Sequence, residues 1–295
     1  MSLQPPASSH GVPTTTTPTT ATTNTTRVAL VTGAAHGIGR AIALRLAADG
    51  LDVALNDLPV HLPALAALVA EIEAAGTGTG AGESAGTGKG RRAVTVAGDV
   101  TQEAEVRAMV EEAVGKLGRL DVMVANAGIA DGGTTVMDAD IAKCEKCWAV
   151  NIRGVVLCYK YAARQMVAQG EGGRIIGASS VCGQRGFAGL GAYCISKAAV
   201  RSLTQTAALE LREHGITVNA YAPGVIDTAM TRAPATAEHD RTHGAGSGLK
   251  QLLKLPDVRT GEPADVAALV AFLASRDAHF MTGQTVSVDD GIHFS

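Results

Sequence analysis

Short apolar runs alternate with longer amphipathic segments along most of the chain. Seven of the runs are compact and rich in apolar residues, which is typical of buried strands: RVALVTG, LDVALND, RAVTVAGDV, LDVMVANAG, RIIGASS, ITVNAYAPG and GQTVSVDDG. Apolar residues at helical spacing between them predict the helices GIGRAIALRLAADG, LPALAALVAEIEAAG, EAEVRAMVEEAVGKLG, AYCISKAAVRSLTQTAALELREHG and PADVAALVAFLAS. Because near-continuously apolar strands alternate with helices, we predict an α/β fold with a doubly wound parallel sheet and helices on both faces.

The composition divides the chain into a tail and one folded domain. Residues 1–26 are rich in Thr and Pro and predict a disordered tail. No break in composition follows, so residues 27–295 are interpreted as a single domain. Within it, residues 76–90 predict a flexible glycine-rich insertion. The insertion ends in AGTGKG, which suggests a P-loop, but Glu83 stands where the motif needs glycine and the stretch runs from helix to strand.

Charge and cysteine content exclude several classes of protein. The net charge of −3 and the absence of basic runs argue against nucleic acid as a partner. No apolar stretch is long enough to span a bilayer, and the N-terminus lacks the features of a secretory signal. The five cysteines are an odd number and favour reduced thiols in a cytoplasmic protein. Cys144 and Cys147 form a C-x-x-C pair without a second ligand pair nearby, so we expect no metal site.

A glycine-rich loop, TGAAHGIG, joins the first predicted strand to the first predicted helix. Gly33, Gly37 and Gly39 would allow a tight turn and a close backbone approach to a pyrophosphate at the helix N-terminus. The spacing departs from the common G-x-G-x-x-G pattern, and a plain turn between strand and helix is the alternative. We predict that this loop, with His36 and Ile38 in it, binds a dinucleotide.

Asp57 ends the second predicted strand, about 20 residues beyond the glycines, where an acid accepts hydrogen bonds from ribose hydroxyls. A carboxylate there also repels a 2′-phosphate, so NAD(H) is favoured over NADP(H). His36 and Arg40 could weaken this preference, although Arg40, inside the predicted helix, is better interpreted as a surface residue. A solvated turn residue is the alternative interpretation of Asp57.

Tyr193 and Lys197 are four residues apart in a predicted helix and therefore share one of its faces. Lowering the pKa of a phenol from about 10 to about 7 takes roughly 4 kcal/mol. An ammonium group at about 4 Å supplies that much at an effective dielectric of about 20, so Lys197 is sufficient in magnitude. Ser180 ends a predicted strand and could hold a substrate oxygen while Tyr193 exchanges the proton. The alternative is an exposed aromatic–cation pair without chemistry.

Taken together, these motifs resemble those of the single-domain short-chain dehydrogenase/reductase family. The resemblance covers essentially residues 27–295. It rests on the TGxxxGIG loop, Asp99, the turn Asn126-Ala127-Gly128, the four residues Asn151, Ser180, Tyr193 and Lys197, and PGVIDT with Pro223, Gly224 and Thr228. One departure is Asp290 in VDDG, where the family usually has glycine.

The resemblance implies a Rossmann-like fold and a role for each matching residue. Asp99 and Val100 would flank the adenine, and Asn126, Ala127 and Gly128 would line the adenosine ribose side. Lys197 would hold the nicotinamide ribose and lower the pKa of Tyr193, and Asn151 would anchor a water molecule. Ile226 and Thr228 would contact the nicotinamide carboxamide, beside Pro223 and Gly224. Residues 229–256 would form a lid over the substrate.

The expected function is NAD(H)-dependent interconversion of a secondary alcohol and a ketone by hydride transfer. The C-terminal half is most similar to acetoin/diacetyl reductases and butanediol dehydrogenases, which suggests small vicinal diketones or hydroxyketones. The alternatives are an NADP(H)-dependent carbonyl reductase for bulkier alcohols and a non-catalytic NAD sensor or scaffold. We also expect a homo-tetramer assembled through the helices that carry residues 138–170 and 193–213.

Overall fold

The structure, a computed structural model, describes residues 26–76, 91–130, 134–232, 237–255 and 257–294. Within these ranges seven parallel strands form one sheet in the order β3-β2-β1-β4-β5-β6-β7. The strands are β1 (Val28–Thr32), β2 (Asp52–Asn56), β3 (Ala93–Thr95), β4 (Val122–Ala125), β5 (Gly173–Ala178), β6 (Ile216–Pro223) and β7 (Thr285–Val288). The predicted doubly wound parallel sheet in a single domain is confirmed.

Helices cover both faces of the sheet. They are α1 (Gly37–Ala48), α2 (Leu62–Gly76), α3 (Glu103–Leu117), α4 (Ile141–Trp148), α5 (Val155–Gln169), α6 (Gly191–Leu211), α7 (Ala237–His243), α8 (Ser247–Leu252) and α9 (Pro263–Ala274). A π-helical turn, Ala149–Gly154, joins α4 to α5. The five helices delineated from the sequence are present, and α7 and α8 lie in the segment predicted to cover the substrate. None of the described helices is both long and apolar enough to cross a membrane.

Two hydrophobic clusters hold the layers together, one on each side of the sheet. One joins residues of α1, α2 and α9 to the sheet, and the other joins residues of α3, α5 and α6 to its opposite face. β1 lies inside the sheet between β2 and β4, and all five of its residues are buried. A strand covered on both faces must be apolar throughout, which is why RVALVTG lacks the alternation of a half-exposed strand.

The strand order creates a crevice at the carboxyl edge of the sheet. The chain runs from β1 outward to β3 and then crosses back to place β4 on the other side of β1. The loops after β1 and β4 therefore leave the sheet in opposite directions, and ligands of such folds bind at this switch point.

Some predicted features cannot be followed in these ranges. Apart from Thr26, the N-terminal tail lies outside the described residues, and so does the predicted insertion beyond Gly76, which ends α2. Residues 233–236 and 256 of the segment 229–256 also lie outside them.

Candidate active site

A cavity of about 500 Å³ runs along the carboxyl edge of the sheet. All but one of the residues predicted for the site line it. They are Gly33, His36, Gly37, Ile38, Gly39, Asp57, Asp99, Val100, Asn126, Ala127, Gly128, Ser180, Tyr193, Lys197, Pro223, Gly224, Ile226 and Thr228. The exception, Asn151, is completely buried. The sequence motifs, spread over nearly two hundred residues, thus converge on one space.

The glycine loop has the close packing that its glycines allow. Gly33 and Gly37 have positive φ angles of 65° and 52°, a region that favours glycine. A Cβ on Gly39 would lie 2.1 Å from the carbonyl oxygen of Gly33. His36 precedes α1 without a side-chain cap, so the first N–H groups of that helix can serve a ligand. The glycines thus let the loop pack tightly against Asn126 and Thr228, and the N–H groups at the start of α1 are available to a pyrophosphate.

The Asp57 carboxylate is fixed at the end of β2. Its Oδ2 accepts a hydrogen bond from the backbone N–H of Ala35 (3.1 Å), and its Oδ1 accepts one from that of Leu58 (2.9 Å). The Nε2 of His61 lies 4.0 Å from Oδ1, and the ring of His61 meets that of His36 edge to face at 5.1 Å. His61 was not predicted, because a histidine in a short 3₁₀ turn after a strand matches no motif.

Arg40 lies on the first turns of α1, where its guanidinium pairs with Glu71. It does not line the cavity. Arg40 is thus a surface residue, as expected from its place inside the helix, and its position does not support an effect on the cofactor preference, whereas His36 lines the cavity and is in place to affect it.

Asn126 connects the loops after β1 and β4. Its Nδ2 donates to the carbonyl oxygen of Thr32 at 2.8 Å, and its Oδ1 accepts from the hydroxyl of Tyr221 at 2.8 Å. The hydroxyl oxygen of Thr32 in turn accepts the backbone N–H groups of Asn126 and Ala127, both at 3.0 Å. Asn126 therefore positions the glycine loop in addition to lining the cavity.

On the predicted adenine side, a second asparagine organises the wall that includes Asp99 and Val100. Asn56 donates from Nδ2 to the carbonyl oxygens of Val96 (2.9 Å) and Gly98 (3.1 Å). It lines the cavity and was missed, because the last residue of a buried strand carries no distinctive signal.

Ser180, Tyr193 and Lys197 meet near the middle of the cavity. Ser180 follows β5, and its hydroxyl accepts the backbone N–H of Cys182 (3.2 Å) and lines the cavity beside the phenol of Tyr193. Lys197 is one turn along α6 from Tyr193, with its Nζ 5.4 Å from the centroid of the phenol ring. That Nζ donates to the carbonyl oxygen of Ala178 at 2.9 Å, and burial lowers the pKa of Lys197 to about 8. The predicted helical pair is thus confirmed in geometry, and the interpretation as an exposed pair is wrong, since Lys197 is buried.

The electrostatics of Tyr193 differ from the sequence expectation. Burial raises the pKa of Tyr193 above its ordinary value, the nearby Cys182 thiol adds to the increase, and the hydroxyl of Ser180 opposes it. Lys197 is not among the resolved contributors to this shift, although its Nζ lies 5.4 Å from the centroid of the phenol ring. The expectation that Lys197 by itself brings the phenol pKa to about 7 is wrong: among the protein groups, desolvation dominates.

Asn151 lies in the π-helical turn and stabilises the site through hydrogen bonds of its side chain. Its Oδ1 accepts the backbone N–H of Ile129 (2.9 Å), and its Nδ2 donates to the Ile129 carbonyl oxygen (2.9 Å) and to the Ser196 hydroxyl (3.0 Å). A Cβ on Gly128 would be 3.3 Å from both Asn151 Oδ1 and Lys197 Nζ. Asn151 therefore joins the loop after β4 to α6, close to the lysine.

The turn after β6 forms the last wall of the cavity. The Thr231 hydroxyl donates to the carbonyl oxygens of Ile226 (2.6 Å) and Thr228 (3.0 Å), and so fixes the turn that carries both residues. Thr231 lines the cavity and was not among the predicted residues. Its signal, a hydroxyl residue three positions after Thr228, is too common to recognise.

The C-terminal turn packs against this wall through an unusual aspartate. Asp290 has a φ of 52°, which is the left-handed conformation that glycine would adopt without strain. Its carboxylate accepts hydrogen bonds from the backbone N–H (2.8 Å) and the Nη2 (2.8 Å) of Arg259. The noted departure from the family pattern is therefore accommodated by a charge pair.

Comparisons with known proteins agree with this geometry. A family model described as enoyl-(acyl carrier protein) reductase matches residues 33–293. The chain is 47% identical over 272 residues to a short-chain dehydrogenase/reductase of Armillaria gallica, with 91% of this chain and 96% of the relative covered. It is 39% identical over 272 residues to L-2,3-butanediol dehydrogenase of Corynebacterium glutamicum, with 91% of this chain and 99% of the relative covered.

Solved structures with the same fold include enzymes of related chemistry. Acetoin dehydrogenase from Salmonella typhimurium superposes with a TM-score of 0.74 at 33% identity, covering 90% of this chain and 96% of that one. A blue fluorescent protein from a metagenomic library, in complex with NADPH, superposes with a TM-score of 0.76 at 36% identity, covering 92% and 99%. With its glycine loop, its serine, tyrosine and lysine in one cavity and these relatives over nearly its whole length, the chain belongs to the short-chain dehydrogenase/reductase family of oxidoreductases.

Proposed function

We propose that the protein is an NAD(H)-dependent oxidoreductase that interconverts a secondary alcohol and a ketone. The observation that carries the proposal is the convergence of Ser180, Tyr193 and Lys197 with the glycine loop in one cavity. A bound nicotinamide dinucleotide would supply or accept the hydride. The protein's part is to hold the substrate oxygen and to exchange its proton.

Each catalytic residue has a role that its contacts support. The hydroxyls of Ser180 and Tyr193 line the same part of the cavity, where a substrate oxygen can be held between them. Because burial raises the pKa of Tyr193, its phenol is protonated at neutral pH and can donate to a ketone oxygen during reduction. Alcohol oxidation uses the reverse transfer. In our proposal Lys197 orients the nicotinamide ribose. The side chain of Asn151 is engaged by Ile129 and Ser196, so Asn151 holds the loop after β4 beside Lys197, and the water molecule that exchanges the proton with solvent is not held by that side chain.

Asp57 supports NAD(H) as the preferred cofactor. Its carboxylate is held by two backbone N–H groups and faces the cavity, where it would accept hydrogen bonds from ribose hydroxyls and repel a 2′-phosphate. A solved relative binds NADPH, so an NADP(H)-dependent carbonyl reductase is the second candidate, and the neighbouring imidazoles of His36 and His61 favour it because their ring N–H groups can donate to a phosphate.

Turnover with each dinucleotide tests the proposal. Acetoin and 2,3-butanediol, which appear in the names of relatives, are the first substrates to assay by absorbance near 340 nm. We expect Tyr193→Phe to lower kcat by about 10²–10⁴-fold, the usual contribution of a positioned acid or base, with little change in the Kd for NAD. The matched control is Tyr161→Phe on α5, whose hydroxyl donates to Glu103 away from the cavity and whose loss should leave kcat unchanged. Tight NAD binding without turnover of any alcohol would instead identify a sensor or scaffold.

We also propose that the protein is a cytoplasmic homo-tetramer whose subunits pack through α5 and α6. Val156 and Val167 on α5 and Ile195 and Leu209 on α6 are exposed apolar side chains. All five cysteines are thiols, as in proteins of reducing compartments. Light scattering should give about four times the 29.9 kDa of one chain, and a mass near one subunit would contradict the assembly.

A further inference from the structure

One end of the cavity is lined almost entirely by apolar side chains. Beyond Ser180 and Tyr193 the walls come from four separate parts of the chain: the 3₁₀ turn after β5, the loop before α6, the turn after β6 and the segment around α8. The side chains that project from them include Val181, Cys182, Phe187, Leu190, Leu249 and Leu255. The same residues pack with Tyr193 in one hydrophobic cluster. We call this the substrate end.

The polar groups near the substrate end are already engaged. The Thr231 hydroxyl donates to carbonyl oxygens of the turn after β6. The ammonium group of Lys250, on α8, donates to the carbonyl oxygen of Val258 at 2.8 Å. Cys182 is neutral, because burial raises the pKa of its thiol to about 12. Among the described lining residues of this end, only Ser180 and Tyr193 therefore offer polar groups to a substrate.

Ser179 also lines the cavity, but its hydroxyl donates to the carbonyl oxygen of Lys197 at 2.9 Å. Apart from Ser179 and Thr231, the polar side chains of the cavity lie at its other end or belong to the catalytic residues. Thr228 belongs to the dinucleotide side, since a Cβ on Gly37 of the glycine loop would lie 3.3 Å from its methyl group. Asp57, His36 and His61 form one group at the end of β2. A single cavity thus has a polar half suited to a dinucleotide and an apolar half beside the reacting oxygen.

This lining discriminates between substrate classes. A four-carbon hydroxyketone or diol has a second oxygen that would face hydrocarbon without a partner, and an unsatisfied polar group disfavours binding. A larger hydrocarbon body removes apolar surface of both the substrate and the cavity wall from water. Each buried methylene favours binding by about fourfold.

We infer that the preferred substrate is a secondary alcohol or ketone with a predominantly hydrocarbon body, larger than four carbons and without a second polar group next to the reacting carbon. This inference rests on the proposed function. It specifies which alcohols that function serves.

The test is a homologous series assayed with the wild-type protein. kcat/KM is measured with NAD for 2,3-butanediol and for 2-butanol, 2-hexanol, 2-octanol and 2-decanol, and with NADH for the matching ketones. We expect kcat/KM to rise by about two- to fourfold per methylene until the apolar end is filled. We also expect 2-octanol to exceed 2,3-butanediol by at least about tenfold.

A pair of leucines on α8 provides a matched comparison. Leu249 lines the cavity, whereas Leu252, three residues on, is 68% exposed. Leu249→Gln should flatten the dependence on chain length and leave the Kd for NAD unchanged, and Leu252→Gln should leave both as in the wild type. Circular dichroism confirms that both variants are folded, and the wild-type series decides the question if either is not.

The possible failures are distinguishable. A series that is flat or falls with size, alongside efficient turnover of 2,3-butanediol, would overturn this inference and leave the proposed function standing. An equal loss of chain-length dependence in both leucine variants would also count against it. Absence of turnover of every alcohol and ketone with either dinucleotide would overturn the proposed function and this inference together.

Discussion

The two halves of the cavity are built in different ways. The dinucleotide half is built from backbone and short polar side chains held at the ends of central strands, with Gly33 and Gly39 packed against the loop after β4. The substrate half consists of side chains from turns and short helices, and Leu249 on α8 is an example. The shape of the dinucleotide half is determined by the buried sheet and is therefore rigid. The shape of the substrate half depends on which side chains the turns and short helices carry, so substitutions there can alter it without altering the sheet. Reaction type and substrate choice are therefore specified by separate parts of the molecule.

The largest expected effect is that of Gly39→Ala on the affinity for NAD, because Gly39 packs directly against the backbone of Gly33. In Gly39→Ala the new methyl group would lie 2.1 Å from the Gly33 carbonyl oxygen, and neither group is on a flexible side chain. Overpacking typically costs about 1–3 kcal/mol, and relieving it must move the loop that would hold the pyrophosphate. If binding loses the upper value, about 3 kcal/mol, the Kd for NAD rises by about 100-fold. Gly115→Ala in α3 is the control, since a Cβ there meets no atom within 4 Å. Titration calorimetry that gave similar Kd values for both variants would refute the rigid cradle.

The next effect concerns Lys197, at the boundary of the two halves. Its pKa in the folded protein is about 8, below the ordinary 10.5, so the unfolded chain binds more protons between these values. Stability should therefore rise with pH across this window, and the full shift corresponds to at most about 3 kcal/mol. Lys197→Met should abolish turnover and lose this increase.

Urea denaturation of both proteins at pH 7, 8, 9 and 10 measures the difference. Other titrating groups cancel between the two, so the wild type should gain stability relative to Lys197→Met as the pH rises. If the difference in unfolding free energy between the two proteins stays constant over the four pH values, burial does not lower the pKa of Lys197.

A smaller effect is expected at the polar end of the dinucleotide half. Asp57→Asn removes the charge that repels a 2′-phosphate but keeps the shape of the side chain. We expect the ratio of kcat/KM for NAD to that for NADP to fall by about tenfold, equivalent to about 1.4 kcal/mol. Asp49→Asn, at the exposed end of α1 beside Arg45, should leave the ratio unchanged. An unchanged ratio in Asp57→Asn would remove the basis for preferring NAD(H).

The smallest effect concerns two threonines. Thr231 uses its hydroxyl to fix the turn between the two halves, whereas the buried hydroxyl of Thr285 has no hydrogen-bond partner among the described residues. Thr231→Val should destabilise the fold by about 1 kcal/mol, and Thr285→Val should be neutral or stabilising. Thermal denaturation compares the pair, and a greater loss for Thr285→Val would contradict the assigned contacts.

The dinucleotide half was predictable because its physical requirements appear directly in the sequence. A buried strand followed by glycines and a helix has few structural solutions, so Gly33, Gly37 and Gly39 were identified with their surroundings. Tyr193 and Lys197 were equally accessible, since helix geometry alone brings residues four apart onto one face.

The rest depends on contacts between distant parts of the chain. No local sequence pattern identifies His61, which lies beside Asp57. The same is true of Thr231, whose hydroxyl donates to the carbonyl oxygen of Ile226. The pKa of Tyr193 was misjudged because the sequence gives the sign of a neighbouring charge but neither its distance nor the degree of burial. The apolar substrate end was missed for the same reason, because its residues come together only in the folded protein.

The pairing of Arg259 with Asp290 has a consequence for how the substrate end behaves in different solvents. Arg259 follows closely after the segment 229–256, so the pair fastens the end of that segment to the C-terminal turn. It is exposed, and mobile ions weaken attraction between exposed charges. Added sodium chloride should therefore raise the KM of even an uncharged alcohol, and that sensitivity should disappear in Arg259→Gln.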